Sequence, residues 1–386
     1  MTTICEMLVE SGFTVRALAT TATERSSKSD AATELRKLGL KLQIDKGRTG
    51  NRIRPEILFE HRGVSFRLMD TGRHTMADWQ PTLGRQFDLA FDEELKHFQP
   101  DVILTFGGHI SDIRRHKRAR NQGIKVVFGL RNESYMSAEF FEGVDGVLTP
   151  SQYMTDLYRE KIGITSVPLP TPIEPSDVVA EEHDPIFVTM VNPNHVKGVM
   201  LFARIAEEVS LRRPDIPFLA IEARGTAGTL ANAALSSGFD LRRHENVMIS
   251  SSVPTPKDIF TAAKLLLAPS LMEPSGRVVA EALMNGVPPL VSDRGGLAES
   301  ANGAGFVIPI PQDLNIQTVR AVTAEEVAPW VERIIQLEDD AEQYAREAQK
   351  AKEASRVYLR ENLAPRYVKV FLDVLAGTAQ RPTQQI

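Results

Sequence analysis

The chain has one cysteine in 386 residues, two tryptophans, and no apolar run near the ~18 residues that a membrane span needs. The lone Cys5 excludes an internal disulfide framework and a multi-cysteine zinc site, and it fits a reducing compartment. On its amphipathic segment it reads as a small buried residue rather than a nucleophile. The start, MTTICEMLVESG, offers neither the basic start nor the apolar core of a signal peptide, so a cytoplasmic location is expected. The eight histidines are scattered without metal-ligand spacing, and no metal or other cofactor is implied. A net charge of −5 is not the domain-wide basic excess of a general nucleic-acid binder. No G-x-G-x-x-G follows a strand, which disfavours a dinucleotide-dependent oxidoreductase.

What is present is an ordinary globular composition, 42% hydrophobic and 25% charged, in a chain longer than one core usually organises. The first half alternates strand and helix patterns: FTVRALATT, AATELRKLGL, ILFEHRGVSFRLMD, a helix around FDLAFDEELKHF, DVILTFGG, a basic helix, KVVFGL, a helix near AEFFEGV, and DGVLTPS. Prolines at 168, 170, 172 and 175 stiffen VPLPTPIEPSDV into a hinge. The pattern then restarts with PIFVTMVNP and runs through PFLAIEARG and KLLLAPS to PPLVSD and GGLAES. This order predicts parallel α/β winding in two Rossmann-like domains with a cleft between them. Residues 1–170 form the first domain and 171–350 the second. Residues 351–386 are read as a helix packing back on the first domain, plus a polar tail. Because an α/β domain usually opens with a strand, and this chain opens with a helix from Thr2 to Gly12, a first strand and loop are expected to be missing.

The chemistry concentrates in LMEPSGRVVAEALMNG, Leu271 to Gly286. It begins at the carboxyl end of the strand KLLLAPS, where open α/β sheets bind ligands. Ser275 is placed to cap a helix, Gly276 permits close backbone approach, and the amides of Arg277 and Val278 offer an anion site reinforced by the helix dipole. Glu281 falls one turn further along the same face and Glu273 lies in the preceding loop. Carboxylates beside a phosphate repel it, so both are better used on hydroxyls at either end of a longer ligand. Ribose, two phosphates and a sugar give that layout.

These residues resemble a known family. EPSGRVVAE carries the E-x7-E motif of retaining glycosyltransferases with the two-Rossmann-domain GT-B fold, most closely glycosyltransferase family four, and the resemblance runs from about Ile186 to Ala304. It implies transfer of a sugar, of hexosyl type and without a metal, from a nucleotide diphosphate donor to a hydroxyl acceptor. Glu273 would hold the donor sugar's hydroxyls, Glu281 the ribose, and the backbone at Ser275, Gly276, Arg277 and Val278 the diphosphate. Lys197, in HVKG, matches the family's phosphate-neutralising lysine, and backbone near Val253 would meet the base. Where the family carries a G-R pair this chain has Val191–Asn192, so Arg224 and Arg277 are the candidates to supply the displaced cation, and Arg224, which also ends a strand on the ligand side, is the one expected. In the first domain, where the family often has a histidine after the next strand, this chain has Arg131 and Asn132 on the acceptor side, so the catalytic contact falls to His109 or Asn132, with His109 the one expected. The departures motivate an alternative from a different class, a nucleotide-sugar-binding protein impaired in transfer. The basic run Arg114–Arg120 reads first as a solvated helix face and second as a surface for an anionic acceptor or membrane headgroups.

Overall fold

The computed structural model describes residues 2–22, 30–45, 55–72, 81–107, 110–318, 320–380 and 382. The first half runs α1 (Thr2–Glu10), β1 (Arg16–Thr20), α2 (Ala31–Lys37), β2 (Gln43–Asp45), β3 (Glu56–His61), β4 (Val64–Met69), α3 (Pro81–His97), β5 (Val102–Thr105), α4 (Ile110–Asn121), β6 (Lys125–Gly129), β7 (Gly146–Thr149), α5 (Gln152–Ile162) and β8 (Val167–Pro168). The second runs α6 (Pro175–Val178), β9 (Phe187–Val191), α7 (Val199–Arg212), β10 (Phe218–Ile221), α8 (Ala227–Ser236), β11 (Val247–Ser250), α9 (Pro256–Phe260), β12 (Ala263–Ala268), α10 (Arg277–Met284), β13 (Pro289–Ser292), α11 (Leu297–Ala301), β14 (Phe306–Ile308), α12 (Ala324–Asp339), α13 (Ala341–Ala354) and α14 (Arg360–Ala376).

The expected two-unit α/β architecture is present, though only in part with parallel sheets. The second unit is one six-stranded parallel sheet in the order β11-β10-β9-β12-β13-β14. Its central strands are short apolar runs buried on both faces, as helices on each side require. Val188, Leu265 and Leu267 pack against Phe202 of α7 and Trp330 of α12 in the largest core of the molecule. Thr323 caps α12 through a reciprocal bond with Glu326, so the helix carrying Trp330 has its start fixed locally.

The first unit is built differently. Its strands form two four-stranded sheets, β1-β4-β3-β2 and β5-β6-β7-β8. Only the second is wholly parallel; β2, β3 and β4 pair antiparallel, because a tight turn at Arg62–Gly63 makes ILFEH and VSFRLM a hairpin. The pattern AEFFEGV, expected to be helical, is a single 3-10 turn at Ala138–Phe141. β1 and β5 are edge strands of their sheets and are half-exposed or exposed along their length, whereas β7 is buried throughout. Ile4, Met7 and Leu8 of α1 share a core with Tyr367, Phe371 and Val374 of α14 over Val127 and Leu148. The last long helix thus closes the first unit's core.

Candidate functional site

In an open parallel sheet the ligand crevice lies at the carboxyl ends of the strands, where the winding reverses direction. Here that point falls between β9 and β12: β10 and β11 extend one way, β13 and β14 the other. Lys197 sits in the loop after β9 and Glu273 in the loop after β12. The two loops are joined by Leu271 N–H donating to the Val196 carbonyl at 2.9 Å, and the first is fixed internally by Asn194 Oδ1 accepting from Lys197 N–H at 3.0 Å. Gly198, at φ +78°, has no room for a side chain, since a Cβ would collide with the Pro269 carbonyl. The outcome is an ion pair between Lys197 Nζ and the Glu273 carboxylate. A second pair follows one turn into α10, where Arg277 Nε donates to Glu281 Oε1 at 2.7 Å.

Both glutamates are buried, Glu273 at 8% and Glu281 at 6% exposure, so a solvated surface role for Glu281 is excluded. Burial raises each carboxyl above its ordinary value, opposed by Lys197 at Glu273 and by Arg277 at Glu281. Two buried carboxylates, each held by one cation, can exchange that partner for hydroxyls while the cations turn to an anion.

The amino end of α10 differs in detail from the expectation. Gly276, not Ser275, occupies the cap position, and its N–H donates to Ser300 Oγ at 2.8 Å. Gly276 is small because α11 packs against it: a Cβ would lie 3.0 Å from Leu297 Cδ2 and 3.2 Å from Ser300 Cβ. The first-turn amides of Arg277 and Val278, like those of any helix, have no intrahelical acceptor. A cavity of about 300 Å³ borders this helix end, lined by Ser275, Gly276 and Arg277 together with Pro168, Pro170 and Arg366. Neither Lys197 nor Glu273 lines it, so it lies on the hinge side of the helix, away from the ion pair.

Arg224 is exposed on the loop after β10, next to β9 in the sheet. That loop lies directly on the Lys197 loop, with Gly225 N–H donating to Asn192 Oδ1 at 2.8 Å and no space for a Cβ beside the Pro193 carbonyl. Asn192 itself is left-handed, φ +66°, a conformation that asparagine tolerates better than most residues. The residue standing where a G-R pair was expected therefore fastens two site loops together. Val253 lies beyond β11, two strands away from β9.

On the first unit, Arg131 and Asn132 follow β6. Arg131 Nη1 donates to Thr171 Oγ1 of the hinge at 2.6 Å and its guanidinium lies 5.2 Å from the Phe106 ring centroid. The Asn132 carbonyl accepts from Tyr158 OH at 3.0 Å, and its side chain caps Ser134 N–H at 3.0 Å. His109 lies outside the described residues. The basic run on α4 is not a uniformly solvated face: Arg115 is buried and bonded to Asp88 and Asp112, and Arg118 bonds Asp88. Those cations hold α4 to α3. Among the described residues no group of three or more His, Cys, Asp or Glu is placed to hold a metal, and no helix is long and apolar enough to cross a membrane.

Three residues that the sequence motifs did not single out individually hold the loops around the site: Ser151, Glu299 and Ser300. The last two stand in GGLAES, whose glycines gave the signal. An added Cβ at Gly295 would collide with the Glu273 carbonyl, and Gly296 N–H donates to that same oxygen at 2.8 Å.

Residues 174–354 match the family model described as glycosyl transferases group 1. No curated protein sequence matches the chain. Among solved structures, it is similar to sucrose-phosphate synthase from Thermosynechococcus elongatus, with 14% identity, TM-score 0.64, and coverage of 97% of this chain and 92% of that one. HepE from Anabaena in complex with UDP and glucose is 14% identical, with TM-score 0.60 and coverage of 81% and 87%. The catalytic domain of starch synthase IV from Arabidopsis thaliana bound to ADP and acarbose is 12% identical, with TM-score 0.61 and coverage of 94% and 99%. At these identities the likeness establishes the fold, which is that of the GT-B glycosyltransferases.

Proposed function

We propose that this chain, a GT-B fold whose second domain matches the glycosyl transferases group 1 model, moves a sugar from a nucleotide diphosphate to a hydroxyl acceptor with retention at the anomeric carbon. The observation that carries the reading is the meeting of Lys197 and buried Glu273 at the reversal point of the sheet, with the α10 amino end and Glu281 behind them. The ligands named in two similar structures, UDP with glucose and ADP with acarbose, support the same donor class.

In this mechanism Glu273 accepts hydrogen bonds from the donor sugar, Glu281 from the ribose, and Lys197 with the α10 amides holds the diphosphate. Arg224 adds a second cation from the neighbouring loop. Backbone at Ser275 and Gly276 shapes the phosphate wall, and the segment around Val253 faces the base. Arg131, Asn132 and His109 lie on the acceptor side. As the anomeric C–O bond breaks, its electron pair goes to the departing phosphate oxygen. The acceptor oxygen bonds the same face of the carbon and its proton passes to the phosphate. Charge stabilisation of that phosphate by Lys197 and the helix dipole, rather than an enzymic nucleophile or a metal, lowers the barrier. A cytoplasmic enzyme of carbohydrate biosynthesis fits this reading.

The test is a calorimetric screen of nucleoside diphosphates, followed by NMR of the product formed from the matching nucleotide-sugar. One nucleotide should bind and the anomeric configuration should be kept. Binding without transfer or donor hydrolysis would replace this reading with a transfer-impaired binding protein, to which the Val191–Asn192 departure points. Absence of any nucleotide binding would sink both.

A further inference from the structure

A fully used buried hydroxyl crosses between the two domains. Ser151, 1% exposed, caps α5 by accepting from Met154 N–H at 3.2 Å, and donates to the Pro274 carbonyl at 2.6 Å. Pro274 is the residue after Glu273. Beside it, both carboxylate oxygens of Glu299 accept from Gln152 N–H at 2.7 Å, and one accepts from Tyr153 N–H at 3.2 Å. The first-turn amides of a first-domain helix are thus satisfied by a carboxylate of the second domain, where the helix dipole also favours negative charge. The clamp closes on the donor loop through Gly296, whose N–H holds the Glu273 carbonyl and which has no room for a Cβ between the Pro274 carbonyl and the Ser151 hydroxyl.

The body of α5 grips the acceptor-side loop. Tyr158 OH donates to the Asn132 carbonyl at 3.0 Å and accepts from Tyr135 N–H at 3.2 Å, and Tyr153 OH donates to Glu133 at 3.2 Å. Tyr158 is buried among Met154, Phe128 and Phe141, so the helix cannot slide independently of its own domain. One rigid helix therefore touches the loop carrying Glu273 with its amino end and the loop carrying Asn132 with its side.

We infer that α5 is a strut fixing the distance between donor and acceptor sites, with Ser151 and Glu299 as positioning residues. Its functional half rests on the transfer reading above; its geometric half does not. Breaking the clamp leaves each domain's own site intact and loosens their relative placement. Water needs no fixed acceptor site, whereas a hydroxyl acceptor held by the other domain does. Loss of the clamp should therefore favour donor hydrolysis over transfer.

The experiment uses Ser151→Ala and Glu299→Gln in the full chain. Spin labels at Glu160→Cys in α5 and Leu235→Cys in α8, in a Cys5→Ser background, report the inter-domain distance by pulsed electron resonance. Expected are a broader distance distribution in either variant, nucleoside diphosphate affinity within about twofold of wild type, and a transfer-to-hydrolysis ratio lowered about tenfold, close to one hydrogen bond. A purely structural role would lower transfer and hydrolysis together and leave their ratio unchanged. Unchanged distance distributions in both variants overturn the strut whatever the activity; broadened distributions with a wild-type ratio overturn its role in transfer. If the wild type transfers nothing, the function falls while the distance measurement still decides the geometry. Should Glu299→Gln fail to fold, the milder Ser151→Ala carries the same comparison.

Discussion

The second domain lays six parallel strands in one continuous sheet, while the strands of the first fall into two sheets of four. Continuity gives the second domain a reversal point at which loops from neighbouring strands, β9 and β12, bring Lys197 to Glu273. The first domain's β1 and β5 remain edges, half-exposed or exposed, and part of the core over its second sheet is supplied by α14 from the far end of the chain. The domain with its own large core carries the charged site; the domain with divided sheets depends on distant parts of the sequence. A buried site with opposed charges needs a rigid frame around it, and the continuous sheet supplies one.

The largest expected effect tests the first domain's dependence on α14. Phe371 is 2% exposed, and Phe371→Ala should cost about 3–5 kcal/mol. Calorimetry should then show a thermal transition moved down in the first domain only, while nucleoside diphosphate still raises the second. If both transitions fall equally, the two domains melt as one unit and the contrast between them fails.

Next in size is the charge at the reversal point. Lys197→Ala removes the cation paired with buried Glu273, so turnover should fall by about 10²–10³ and the melting temperature should also drop, because a buried carboxylate loses its partner. Arg224→Ala, on the adjoining loop, should weaken donor affinity about tenfold, the share of one exposed charge-assisted contact. Unchanged turnover in Lys197→Ala would mean that the reversal point is structural. Unchanged affinity in Arg224→Ala would mean that no cation replaces the missing G-R pair.

Most of the second domain was legible because its signals are local. KLLLAPS reads as a buried strand, EPSGRVVAE as a loop entering a helix, and the glutamate pair is legible through the E-x7-E resemblance, with Glu273 in the loop and Glu281 in the helix. The first domain was less legible because pairing is a long-range property: alternation in ILFEHRGVSFRLMD shows strands but not that their sheet stops at β1. At the site, sequence put Ser275 at the helix cap because serine favours that place, yet Gly276 is the cap and its N–H bonds Ser300, 24 residues beyond it. The inter-domain contacts of Ser151 and Glu299 join residues 147 positions apart or more closely spaced ones across the hinge, and no periodicity encodes them.

The smallest expected effect compares buried charges in the two domains. In the first, Arg115 and Asp88 are a structural pair, and Asp88→Asn leaves buried Arg115 with Asp112 as its other carboxylate partner, so the substitution should destabilise modestly. In the second, burial raises the Glu281 carboxyl despite Arg277, which means the folded state holds its proton more readily than the unfolded chain does. The stability contributed by that protonation is complete below the ordinary carboxyl value of 4.5 and is lost as pH rises through the raised value. Glu281→Gln keeps the shape and removes the ionisation, so it should melt slightly higher than wild type at pH 7. The gap should close as pH falls toward 4.5, while the ribose contact proposed for Glu281 requires nucleotide affinity to drop, because an amide accepts hydroxyl donors less strongly. A variant that melts lower at pH 7 and binds nucleotide as well as wild type would show that Glu281 serves the fold like Asp88, not the donor. Opposite signs for the two substitutions would mark which domain keeps a buried carboxylate for its ligand at the expense of stability.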